Sequence, residues 1–131
     1  MGRLPRLREG GIVEVTLYDR SGRPTAYIEM ENDHTVYLWD GSPVAYTDGD
    51  NVYGFNGRHL GWFEQGILYD RYGQGIGFTS ESCPSRVSSE SPKGQKKVRP
   101  GKSGTATPPM KPVYDPTASD DDLTLFLRQG R

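Results

Sequence analysis

At 131 residues and a formal net charge of −1, the chain is long enough for one small domain, and its overall charge selects no class of partner. Only 33% of its residues are apolar, no run approaches the roughly 18 consecutive apolar residues of a membrane span, and the single cysteine, Cys83, excludes an internal disulfide framework. The near-neutral total hides an asymmetry: residues 1–83 and 112–131 are net acidic, whereas 84–111 carry seven Lys or Arg against one Glu.

Residues 1–10 are a basic lead-in with Pro5, expected to be loose, and contain no apolar stretch of signal-peptide length, which places the expectation in the cytoplasm. From Ile12 the chain alternates, with Val13, Val15 and Leu17 on one face and Glu14, Thr16 and Tyr18 on the other, the period of a half-buried strand. Strand-like pieces follow at 25–30, 35–39, 44–47, 52–55, 59–63, 67–69 and 76–79, with no helical period among them. Twelve of the fourteen aromatic residues lie between 18 and 78, so the core is expected there.

One phrase recurs four times in this stretch: an aromatic, Asp or Asn, a Gly-containing turn, then a small residue before another aromatic. The copies are Tyr18-Asp19 to Ala26-Tyr27, Trp39-Asp40 to Ala45-Tyr46, Phe55-Asn56 to Gly61-Trp62 and Tyr69-Asp70 to Gly77-Phe78. Such self-similarity makes each copy one supersecondary unit stacked on its neighbours. Asp40-Gly41 and Asn56-Gly57 read as two-residue type I′ hairpin turns; the Asp19 and Asp70 versions read as four-residue turns. Ala26, Ala45, Gly61 and Gly77 are small in every copy, as expected where hairpins crowd a common axis, while the aromatics beside them point outward between hairpins. The expected fold is all-β: four consecutive hairpins over 11–79 in a pseudo-fourfold meander.

The runs Val36 through Tyr46 and Val52 through Phe63 resemble the 4-fold beta flower domain, an uncharacterised and mainly bacterial family, and the similarity extends over about residues 12–79. That resemblance implies four hairpins around a pseudo-fourfold axis. It implies no activity, cofactor or partner.

Residues 80–116 turn to Ser, Pro, Gly and Lys, too few apolar groups to offset ordering entropy, and are expected to be a disordered basic linker. Over 117–131, Ser119 before Asp120-Asp121-Asp122 marks a helix start, and Leu123, Phe126 and Leu127 share one face of a short amphipathic helix that must dock on something.

The chemical inventory is thin. His34 and His59 sit at turns without a nucleophile motif, and neither they nor Asp33, Asp48 and Asp50 have the spacing of a zinc or calcium site. Asp19, Asp40, Asn56 and Asp70 could ring a cation, but Asx hydrogen bonds within each turn explain them without one. Residues 73–77 carry three glycines but no following helix, so no phosphate loop is expected. No catalytic residue, metal or cofactor is therefore assigned. The expected function is non-enzymatic protein binding or self-association through Trp39, Trp62, Phe63, Leu123, Phe126 and Leu127. The alternative is nucleic-acid association, with Lys93, Lys96, Lys97, Arg99 and Lys102 contacting phosphates.

Overall fold

Strands β2 (Val13–Tyr18), β3 (Pro24–Glu29), β4 (Thr35–Leu38), β5 (Pro43–Asp48), β6 (Asn51–Gly54), β7 (His59–Glu64), β8 (Ile67–Tyr69) and β9 (Gln74–Phe78) correspond to the eight alternating pieces of the sequence. The computed structural model describes residues 6–7, 13–31 and 34–131. Consecutive strands pair antiparallel, and Tyr18 of β2 meets Phe78 of β9, which closes an eight-stranded antiparallel barrel. A short β1 (Arg6–Leu7) pairs with the start of β2, so part of the supposed loose lead-in is a strand; the rest of it, with Ile12 and Asp33, lies outside the described residues. After the barrel come β10 (Asp115–Ala118), parallel to β9, and one helix, α1 (Leu123–Arg128).

The pleat sorts the side chains as the alternation requires. Leu17, Ile28, Val36, Leu38, Val52, Leu68 and Ile76 join one buried cluster with Ala26 and Ala45. The four small residues lie directly across from Leu17, Val36, Val52 and Leu68. Their reasons differ: a Cβ on Gly77 would press on Leu68 and Leu123, whereas on Gly61 it would lie 2.0 Å from the Tyr69 carbonyl of the next strand. Tyr27, Tyr46, Trp62 and Phe78 face the other way, and Tyr27–Tyr37 and Tyr46–Tyr53 stack across strand pairs at 5.5 and 5.9 Å. Aromatic contacts of this kind stabilise by about 0.5–1.5 kcal/mol beyond area burial.

The type I′ reading of Asp40-Gly41 and Asn56-Gly57 is overturned. Gly41 and Gly57 have φ of 94° and 87°, but neither Asp40 nor Asn56 has positive φ. Instead the Gly41 N–H donates to Leu38 O and the Leu38 N–H to Ser42 O, enclosing a three-residue loop, and the turns at Asp19, Gly54 and Asp70 repeat that bonding. A bulge follows the same strand position in all four pairs, which lets the loop twist with the strands. Among the described residues, the one pair of positive φ values in a two-residue loop belongs to Gln65 and Gly66, between Glu64 and Ile67.

The segment 80–116 corrects the expectation of a disordered linker. It is extended along the outside of the barrel and tied to each turn in succession. Ser88, Lys97, Ala106 and Asp115 donate backbone N–H bonds of 2.7–3.0 Å to the carbonyls of Gly22, Gly41, Gly57 and Gly73. Those donors are nine residues apart. The segment's own apolar content would not order it; main-chain bonds to the turns and contacts with the outward aromatics do.

Helix α1 is shorter than the expected 117–131 and starts later. Asp122, not Ser119, is its N-cap, accepting from the Leu125 N–H, while the Ser119 hydroxyl accepts from Asp121 N–H. Leu123, Phe126 and Leu127 are buried in the barrel's own core cluster. Gly130 follows against Gly54 and the Val44 carbonyl, close enough that a side chain there would collide.

Candidate functional site

The turn carboxylates are structural. Asp19 Oδ1 accepts from the N–H groups of Ser21 and Arg23, and Asp70 Oδ1 from Tyr72 and Gln74; Asp40 and Asn56, placed two residues later in their turns, accept from Ser42 and Arg58. They fall at two different places in their turns, and each is accounted for by its own Asx hydrogen bonds, the reading preferred from the sequence. Among the described residues no group of three or more His, Cys, Asp or Glu is placed to hold a metal ion. Asp50 is instead paired with Lys111 at 3.2 Å.

The two histidines have different settings. His34 is exposed, with φ of 59°, just ahead of β4. His59 is half-buried between Tyr53 and Trp62, with Nε2 2.9 Å from Asn51 Oδ1 and its buried Nδ1 without a hydrogen bond. Burial holds its pKa below the ordinary histidine range. Its polar partner is the side-chain amide of Asn51, and the flanking rings of Tyr53 and Trp62 pack it in place. Residues 73–77 form a turn glycine and β9, with no helix to present amides to a phosphate.

The outer wall is where the polar and aromatic groups converge. Lys93 Nζ lies 4.6 Å from the Trp39 ring centroid and 5.1 Å from that of Tyr27, and 3.5 and 3.4 Å from the carboxylates of Glu14 and Glu90. Its side chain is 10% exposed. Lys96 lies over Tyr27 and Tyr37 and pairs with Glu14 and Glu29, two acids directly opposed across β2 and β3. Burial works to lower the Lys96 pKa, but the hydrogen bonds and charges of Glu29 and Glu14 outweigh it and hold it above the ordinary value. Lys102 Nζ stands 4.1 Å from the Tyr46 ring centroid. One step further, Tyr114 stacks on Tyr69 at 4.0 Å, bonds Glu64 through its hydroxyl, and has its pKa raised by burial and that carboxylate.

Two of the residues expected to be docking groups keep some exposure. Trp39 is half-buried and donates Nε1–H to Ser91; Phe63 is half-buried on the wall of a groove. Trp62 is 1% exposed, and Leu123, Phe126 and Leu127 are covered by the barrel, so the helix face expected to dock on a partner is taken up internally. Of the expected phosphate contacts, Lys93, Lys96 and Lys102 point at the wall, while Lys97 is 62% exposed beside Asp40 and Arg99 lies on the exposed side of the segment. The groove beside Phe63 has a volume of about 530 Å³ and is lined by Val15, Tyr18, Val87, Thr79 and Glu90 among others. It runs along the closing seam, where β2 and β9 share the single ladder pair Tyr18–Phe78, against three or four pairs between β3 and β4, β5 and β6, and β7 and β8.

Glu14, Glu29, Glu90 and Tyr114 were not singled out from sequence. The nine-residue spacing of Lys93, Lys102 and Lys111 is the sequence signal of the wall contacts, and it links residues too far apart to form a local motif. No helix among the described residues is long and apolar enough to cross a membrane. The family model described as 4-fold beta flower protein matches residues 15–127, which takes in the extended segment and α1 as well as the barrel. No curated protein and no solved structure matches the chain.

Proposed function

We infer that this chain, which belongs to the 4-fold beta flower family, is a non-enzymatic protein-binding module built as four consecutive hairpins around one axis. The fourfold reading draws support from what recurs in each unit: the three-residue loop, the bulge after the same strand position, the small residue across from an interior aliphatic, and the amide from the outer segment. The binding surface is the groove along the closing seam. The observation that carries it is the contrast between that seam, held by one ladder pair and flanked by half-buried Phe63, Val15 and Val87, and the fully laddered seams elsewhere. A cleft with apolar walls and a few polar groups on its rim is the ordinary form of a recognition site.

The test compares proteins recovered with tagged full-length chain and with Phe63→Glu and Val87→Glu variants whose melting confirms a folded state. Loss of a recovered protein from both variants, with retention by a Lys97→Gln, Arg99→Gln chain, supports the groove. Recovery of nucleic acid that falls steeply with salt and disappears in the Lys97→Gln, Arg99→Gln chain replaces it with the phosphate-binding reading.

A further inference from the structure

The wall around Trp39 has the composition of an ammonium-recognition site. Two aromatic faces, Trp39 and Tyr27, and two carboxylates, Glu14 and Glu90, surround Lys93 Nζ. Ring faces and carboxylates both attract a cation, and partial burial strengthens the attraction. The backbone on either side of the lysine is read as well. The Gly94 N–H donates 2.8 Å to the Trp39 carbonyl, and the Trp39 indole N–H is 3.2 Å from Ser91 O.

The next position is the most selective. A Cβ on Gly94 would lie 2.3 Å from the Asp40 carbonyl and 2.6 Å from its carbon, which are backbone atoms that cannot swing away. Only glycine fits there. The equivalent step of the outer segment is Lys102-Ser103, whose Ser103 N–H donates to the Phe55 carbonyl, and there a side chain is accommodated. The Trp39 cage is thus stricter than its counterpart.

We propose that this cage is a binding site for extended Lys-Gly segments of other proteins, and that Lys93-Gly94 is a tethered occupant which an incoming segment displaces. The cage shares Glu14 and Glu90 with the lining of the seam groove, but its two ring faces, Trp39 and Tyr27, stand outside that groove, as do Phe63 and Val87 outside the Lys93 contacts. The features recognised are an ammonium on a four-carbon stem, a following residue without a side chain, and an amide presented to Trp39 O. An occupant tethered in the same chain competes at an effective concentration of millimolar order, so a segment in trans must be supplied at several millimolar or carry further contacts.

Two measurements on the full-length chain decide it. In the first, Lys93→Ala, or Lys93→Gln if the alanine variant does not fold, is melted with n-butylammonium and with sodium chloride at equal ionic strength. The cage predicts that butylammonium raises the melting midpoint of the variant and quenches Trp39, with no such difference for the parent chain. Equal effects of the two salts overturn it. In the second, the parent chain is treated with an amine-acetylating reagent, with and without the synthetic peptide Ser-Pro-Lys-Gly-Gln-Lys-Lys-Val. Lys93 should react at least tenfold more slowly than Lys97, and the peptide should accelerate Lys93 at least twofold, while peptides with the first Lys replaced by Gln or the Gly by Ala do nothing. If Lys93 reacts as fast as Lys97, or all three peptides behave alike, the site does not take segments in trans. Light scattering of an equimolar mixture of the Lys93→Ala chain and the parent chain, whose strap still carries Lys93, separates the sources: an unchanged mass leaves a foreign segment as ligand, and a doubled mass overturns that in favour of a second copy's strap.

Discussion

Single residues carry more of the architecture than their chemistry suggests. Gly41 has φ of 94°, a region a side chain enters at a cost of about 1–2 kcal/mol, and a Cβ there would stand 2.0 Å from the Gln95 carbonyl of the outer segment. Gly49, with φ of 61°, has nothing within 4 Å of the same position. Denaturant titration should therefore show Gly49→Ala losing about 1 kcal/mol and Gly41→Ala about 3 kcal/mol or more. Equal losses would mean that the segment does not bear on the turn. His59 supplies a pH dependence with a definite sign. Its pKa is lowered in the folded state, so between that value and the unfolded one of 6.5 the unfolded chain holds more protons, and stability falls as pH falls through the window. Among charged and titratable neighbours its ring touches Tyr53 on one side, with the uncharged Trp62 and Asn51 completing its setting. The melting midpoint should drop as pH falls through 6.5 toward the folded-state value, and His59→Gln should flatten that part of the profile.

At the scale of elements, the strands were legible and the rest was legible in part. Alternation such as Val13, Val15 and Leu17 records one buried face, and Asp or Asn with Gly records a reversal, so all eight barrel strands could be read directly. The turn type could not, because Asp40-Gly41 and Asn56-Gly57 have the residues of a type I′ loop while a bulge one position away converts them to three-residue loops. The order of 80–116 was invisible to composition, since its partners are carbonyls of Gly22, Gly41, Gly57 and Gly73 and aromatic faces formed only by the folded barrel. In α1 the buried face was legible from the spacing of Leu123, Phe126 and Leu127, but its N-cap was not, Ser119 and Asp122 being equally good caps. The helix has six residues and owes its persistence to burial. Leu127 is 0% exposed, and Leu127→Ala should cost about 2–5 kcal/mol. Leu125, 64% exposed one turn face away, should tolerate alanine within about 0.5 kcal/mol. A comparable loss at both positions would show that α1 is not seated on the barrel.

Taken whole, the molecule is a closed barrel whose strands turn aliphatic side chains inward, joined there by Phe126 of α1, and aromatic ones outward, and whose own chain then covers the aromatics. That arrangement explains how a chain with 33% apolar residues supports a barrel: the outer aromatics are buried too, by a polar segment contributing lysine stems, a tyrosine and backbone bonds. The candidate sites follow from it, one where the wall is thinly closed at Tyr18 and Phe78 and one where the segment's lysine enters an aromatic cage. The dependence of everything else on the segment's registration makes it the point to test. Amide hydrogen exchange of the full-length chain reads it residue by residue. The amides of Ser88, Lys97, Ala106 and Asp115 should exchange at least tenfold more slowly than those of Val98, Thr107 and Met110 between them; exchange of all seven at the rate of an unstructured chain would contradict it.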